Sequence, residues 1–202
     1  MDVNLRSLIG KFNQTTRNAT EAAAGLCLTR THYNVEVEHY LSKLLESTDG
    51  DFAAIAKHYG IDKARFSGEL TRALDRFKTG NGRMPTLSPD FVETMTNAWT
   101  IASIDFGVAQ IRTGFTVLAL TSDDKLSRIM REISKEFPKI SAEDLRKDFF
   151  TEVECGARNV DNILTNTLLP ELSMLMLERI AEGEKLEAIQ AGVGEEGAFV
   201  YS

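Results

Sequence analysis

Cysteine is scarce in this chain: Cys27 and Cys155 are the two in 202 residues. That excludes the disulfide framework of a small secreted domain. Cys27 sits in an apolar helical run and reads as a small core residue. No apolar run reaches the roughly 18 residues that a membrane-crossing helix needs. The opening MDVNLRSLIGKF has neither the long apolar centre nor the small-residue cleavage site of a secretory signal. A cytoplasmic protein is the expectation. Basic excess is missing as well. Residues 1–150 hold 20 basic and 20 acidic side chains, and residues 151–202 hold 3 and 10. Nucleic-acid binding wants a concentrated basic face, so it is excluded. The charge asymmetry also argues for two segments of different origin.

Catalytic signatures are absent too. No G-x-x-x-x-G-K-[ST] phosphate cradle, C-x-x-C or H-E-x-x-H occurs, and no serine has the G-x-S-x-G setting. His32, Glu36 and His39 are metal-ligand types, but a turn between them spoils regular helical spacing. His39 is expected in a buried or capping hydrogen bond instead, and no metal site is expected. The acidic pairs Glu36/Glu38 and Asp123/Asp124 read as solvated helix ends.

What is present is a repeat. A shift of 76 positions puts Val35 on Ile111, Leu41 on Val117 and Leu44 on Leu120, and it puts Ala22 on Ala98 and Leu26 on Ala102. With small gaps, Ile55 falls on Ile129, Ile61 on Ile140, Phe66 on Leu145 and Leu70 on Phe149. Two copies of a helical unit imply a compact pseudo-symmetric domain rather than an open array.

Apolar periodicity predicts the units. Leu5, Leu8, Ile9 and Phe12 form one face of a short leading helix, with Asp2 or Asn4 as cap. Helices follow over 14–29, 36–46, about 51–59, and from an Asp62 cap to Phe77. Residues 78–89, KTGNGRMPTLSP, are breakers linking the copies. The second unit has helices over 89–106, 113–120 and 124–137, and a last one capped by Ser141. In the tail, 156–168 and 170–183 are helical in pattern. Residues 186–193 and 198–201 read as a hairpin around a GEEG turn. The fold class is mainly α: tandem four-helix repeats at about 13–78 and 89–150, with an extra leading helix and a small helical tail ending in a β-hairpin.

These residues resemble a known family. The run Glu38-His39-Tyr40-Leu41-Ser42-Lys43-Leu44-Leu45 matches the E-H-[LY]-L-x-x-L-L signature of the amino-terminal domain of Clp-type AAA+ chaperones. AAAGLCLTRTHYNVEVEH at 22–39 and the extra helix LRSLIGKFN at 5–13 look like the ClpV branch, the chaperones of type VI secretion. The tail, TEVECGARNVDNILTNTLLPELS at 151–173, is similar to the small subdomain closing the second ATPase module. Its Arg158 matches a nucleotide-sensing arginine. Everything normally lying between, including the Walker motifs that hold ATP and magnesium, is absent, so no cofactor is expected.

The resemblance implies a peptide-binding module that takes a helical segment of the contracted type VI sheath in an apolar groove. Leu5, Leu8, Ile9 and Phe12 would line or support it, with Asn13 and the stretch from Val108 to Gly114 beside them. Leu8→Asp is expected to abolish capture while helix content survives. Two alternatives follow from the same resemblance: a subunit of an ATP-driven unfoldase, or a remnant that joins intact ClpV subunits and impairs them.

Overall fold

The computed structural model describes residues 4–48, 50–149, 172–174, 191–193 and 199–201. It divides into units 1–146 and 147–202.

Unit 1–146 is mainly α-helical. Helix α1 spans Leu5–Ile9, α2 Gln14–Thr29, α3 Val37–Glu46, α4 Asp51–His58 and α5 Lys63–Leu74. The second repeat supplies α6 Pro89–Thr100, α7 Thr113–Ser122, α8 Asp124–Ile133 and α9 Ala142–Asp144. Most starts carry a side-chain cap on the third backbone N–H. Asn4, Asn13, Asp62, Ser88, Asp123 and Ser141 accept from Ser7, Thr16, Arg65, Phe91, Leu126 and Asp144 at 2.8–3.3 Å. Each such cap stabilises its helix by about 1 kcal/mol relative to alanine.

The core centres on α7, buried at every position from Thr113 to Leu120. A helix apolar all round has to be enclosed. Its repeat partner is α3, with Val37 to Leu41 and Leu44 buried. Both helices have ten residues, and they start 76 positions apart. Tyr40 and Thr116, one shift apart, face each other with their oxygens 3.3 Å apart. The internal two-fold therefore passes between them.

The repeats exchange strands. β1 (Asn34–Val35) pairs in parallel with β2 (Thr86–Leu87), and Ile111 bridges in parallel to Phe12. The N–H of the α6 cap Ser88 donates to Val35 O at 3.1 Å, and that of the α2 cap Asn13 donates to Ile111 O at 3.0 Å. Each repeat's first helix is thus anchored by the chain entering the other repeat's central helix.

Some elements depart from the sequence expectation. The helix over 89–106 widens into a π-helical turn at Ile101–Asp105, where Phe106 N–H donates to Ile101 O at 3.3 Å. Gly107 then reverses the chain at φ +62°, a left-handed conformation that glycine adopts without a Cβ penalty. The helix expected to reach Phe137 stops at Ile133. There the Glu69 carboxylate takes the Ser134 hydroxyl at 2.6 Å and the Lys135 N–H at 3.1 Å, leaving Ser134 extended. The expected helix to Phe77 ends at Leu74. The linker 78–89 holds β2, a strand too short to leave a period. Glu38, expected in solvent, is buried at 9% exposure, bordering the space between α5 and α8.

In unit 147–202, Leu172–Met174 is helical, and β3 (Ala191–Val193) pairs antiparallel with β4 (Phe199–Tyr201). The hairpin pairs within the two stretches expected for it. Arg158 and the stretch 151–171 lie outside the described residues.

Candidate functional site

Helix α1 is too short to hold itself together, so its neighbours fix it. It lies on α6, and the ammonium of Lys11 stands 4.8 Å from the centroid of the Trp99 ring. Arg17 donates to Ile9 O at 3.1 Å. Ile111 donates to Lys11 O at 2.7 Å, and its own carbonyl takes both Asn13 N–H and the Thr16 hydroxyl at 3.0 Å. The leading helix is therefore stitched to the loop entering α7.

That loop is pinned from the first repeat. Asp51, at the start of α4, accepts from Arg112 Nε at 3.1 Å and forms an ion pair with the same guanidinium at 2.5 Å. The Asp51 oxygen that takes Arg112 Nε, Oδ2, also takes Gly114 N–H at 3.1 Å. Val108 N–H closes the preceding turn on Ala102 O at 2.8 Å.

Of the expected site residues, the structure ties Phe12 and Asn13 to Ile111, within the stretch 108–114. Leu8 and Phe12 are buried at 7% and 4%. Leu5 is 41% exposed, and Ile9, Asn13 and Val108 are half-buried. Gly114 is buried, and its backbone serves the Asp51 clamp. Leu8 is a packing residue, so Leu8→Asp would damage the fold along with any groove. Sequence reasoning missed Ile104, 76% exposed on the π-helical turn, and the clamp Asp51. The signal for Ile104 was an isoleucine out of phase with the inward face at Met95, Ala98 and Ala102. Asp51 gave none, because its partners are 61 and 63 residues away.

A second cluster lies under α3. His39 Nδ1 accepts the N–H of Glu36 at 3.0 Å, so its proton sits on Nε2. That nitrogen is 2.8 Å from His32 Nδ1, which must then be the acceptor. Phe77 stacks on His39 and meets His32 edge-on. Burial, then the neighbouring His32, pushes His39 down to about 4, and burial also lowers His32. Two neutral imidazoles joined in this way make a structural cap, as expected for His39. Cys27 is buried, and its thiol donates to Asn34 O at 3.1 Å. Glu38 borders a cavity of about 490 Å³ between α5 and α8, and burial raises its carboxyl to about 7.

Residues 11–133 match the family model described as the Clp repeat (R) N-terminal domain. The chain belongs to the Clp N-terminal domain family. The Pseudomonas aeruginosa AAA+ ATPase ClpV1 is 32% identical to it over 158 residues, 78% of this chain and 18% of that protein. This Clp N-domain chain thus spans under one fifth of that relative. A structure from work on the coevolution of the ATPase ClpV, the TssB-TssC sheath and the accessory HsiE protein has a TM-score of 0.71 and 33% identity. It covers 74% of this chain and 92% of that one. A complex of a ClpV N-domain with a VipB peptide has a TM-score of 0.63 and 28% identity, covering 74% and 91%. In this Clp N-domain no described helix is long and apolar enough to cross a membrane.

Proposed function

We propose that this Clp N-domain captures a helical segment of a type VI sheath protein in the groove beside α1. The observation that carries the reading is an apolar set left uncovered on a fixed frame. Leu5 is 41% and Ile104 76% exposed and Ile9 and Val108 are half-buried, on the two segments, α1 and the chain leading into α7, that Ile111 joins and Asp51 pins. An amphipathic helix docks on such a surface through residues at i, i+3, i+4 and i+7, and a pre-ordered frame lowers the entropy lost on binding. The similarity to a ClpV N-domain solved with a VipB peptide supports the same class of ligand. Leu8 and Phe12 support the groove, and Asn13 and Gly114 hold its edges.

Capture of this kind needs neither ATP nor magnesium. The domain acts as the recognition part of a cytoplasmic chaperone whose hydrolysis is done elsewhere, since an arginine such as Arg158 cannot hold a nucleotide without a backbone cradle and metal ligands. Calorimetry with the amino-terminal helix of a sheath protein tests the reading. Binding is expected to weaken at least about tenfold, roughly 1.4 kcal/mol, in Ile104→Asp, with an unchanged circular dichroism spectrum. Equal affinity in that variant would refute the groove. Magnesium-dependent ATP turnover by the purified chain would refute the division of labour.

A further inference from the structure

We propose that the face around Tyr33 and Met84 is a second docking surface, and that it takes an acidic helical segment with one apolar face. The inference rests on the groove assigned above, because it follows from the internal two-fold. The shifts of 75 and 76 that relate the α2 and α6 caps and the α3 and α7 starts carry Ile9 onto Met84 and Ile104 onto Leu28. Met84 is 80% and Leu28 48% exposed, and Tyr33, which falls on the loop position Ala109, is 51% exposed. With Leu5 and Ile104, these are the large apolar side chains left exposed among the described residues of unit 1–146. Leu28 and Ile104 are thus an exposed apolar pair related by the unit's own symmetry, and Met84 stands exposed at the position matching the half-buried Ile9.

The second surface is built, not frayed. Thr31 N–H donates to Leu28 O at 3.0 Å, and Thr86 N–H donates to Tyr33 O at 3.2 Å. Asn81 ties both its backbone N–H to Thr31 O at 2.9 Å and its side chain to His32 O at 3.0 Å. A cavity of about 180 Å³ bordered by Tyr33, Phe77, Lys78 and the half-buried Glu36 opens beside it, with the exposed Arg83 as a second cation next to Met84. Tyrosine, methionine and arginine are the types enriched where proteins meet, and methionine adapts to varied apolar partners.

Charge separates the two surfaces. Beside the first, Lys11 is engaged with Trp99, Arg17 with Ile9 O and Arg112 with Asp51, which leaves Arg6 of α1 as one exposed cation without an ion pair among the described residues. Beside the second, Arg30 is neutralised by Asp75 at 2.7 Å. Lys78 and Arg83 are exposed and make no ion pair among the described residues. Two uncommitted cations flanking an apolar patch select an acidic segment over a basic one.

The test is calorimetry on the full chain with a synthetic helical peptide bearing leucines at i, i+3, i+4 and i+7 and glutamates elsewhere, and with its twin carrying lysines for glutamates. The glutamate peptide is expected to bind the native chain. Its affinity should fall about tenfold or more in Met84→Asp and in the Lys78→Glu/Arg83→Glu double variant, and should be unchanged in Ile104→Asp. All three positions on this face are exposed, so an unchanged circular dichroism spectrum and melting temperature are expected. Loss of the glutamate peptide in Ile104→Asp, displacement of it by the sheath helix, or equal binding of the lysine twin overturns the second surface. So does no binding at all. If the sheath helix fails to bind while the glutamate peptide still depends on Met84 and Lys78, the groove reading falls and the second surface stands.

Discussion

Glu38 and His39 are adjacent in sequence, both are buried, and burial pushes them in opposite directions. His39 falls to about 4 from an ordinary 6.5. A histidine depressed in the fold contributes stability that is whole above 6.5 and is lost as pH falls toward 4. The cause is geometric as well as dielectric. A second proton on His39 would have to sit on Nδ1, where the Glu36 N–H already donates. Glu38 rises to about 7 from 4.5, so its charged form costs stability as pH climbs from 4.5 to 7. The two slopes oppose each other between pH 4.5 and 6.5. Glu38→Gln removes one of them. It is expected to stabilise the chain by about 1–3 kcal/mol at pH 8, since each tenfold change in proton affinity between the folded and unfolded chain is worth about 1.4 kcal/mol. It should also unmask a steep loss of stability below pH 6.5. Urea titrations of both proteins at pH 8, 6.5 and 5 measure this, and a variant no more stable than the parent at pH 8 would contradict the burial cost.

At the scale of elements, the groove depends on a clamp from outside it. Asp51 holds Arg112 and Gly114, and so holds the loop between the π-helical turn and α7. Asp51→Asn keeps the shape and removes the charge. Hydrogen bonds to charged groups contribute about 1.5–3 kcal/mol, so a loss of that order is expected, with faster amide exchange at residues 108–114. Sheath-helix affinity should fall with it, while Asn13→Ala, which removes a cap, should cost about 1 kcal/mol. Unaltered exchange in the loop of Asp51→Asn would show that the clamp does not set it. The sequence showed the clamped helices and not the clamp. The period of α3, the Asp62 and Ser141 caps, Pro89 at the start of α6 and the tail hairpin were legible because each is a local pattern. The stop at Ile133 was not, because it is made by Glu69 of the first repeat. The two-residue strands were not, because two residues carry no period.

At the scale of the whole unit, neither copy of the repeat is self-sufficient. The α2 start is anchored by Ile111 and the α6 start by Val35, each from the other copy. Tyr40 and Thr116 meet on the axis between them. Glu136 of the second copy is buried at 1% exposure. It is hydrogen-bonded to Lys139, takes the Asp62 N–H at 3.0 Å and lies 3.5 Å from Arg65, and these partners, Lys139 first, hold its carboxyl below the usual range. Leaving such a group without its partners is costly. A fragment of residues 1–78 would therefore lose the partners of two helix starts, at Asn13 and Asp62, and the contact of Tyr40 with α7. It is expected to show no cooperative melting, and the same holds for residues 79–150. In the full chain the buried amides of α3 and α7 should exchange through one shared opening with equal free energies, as members of a single cooperative unit do. Two separate exchange free energies, or a folded half, would mean that the copies touch without depending on each other. The groove could not then be held by Asp51 from across the axis.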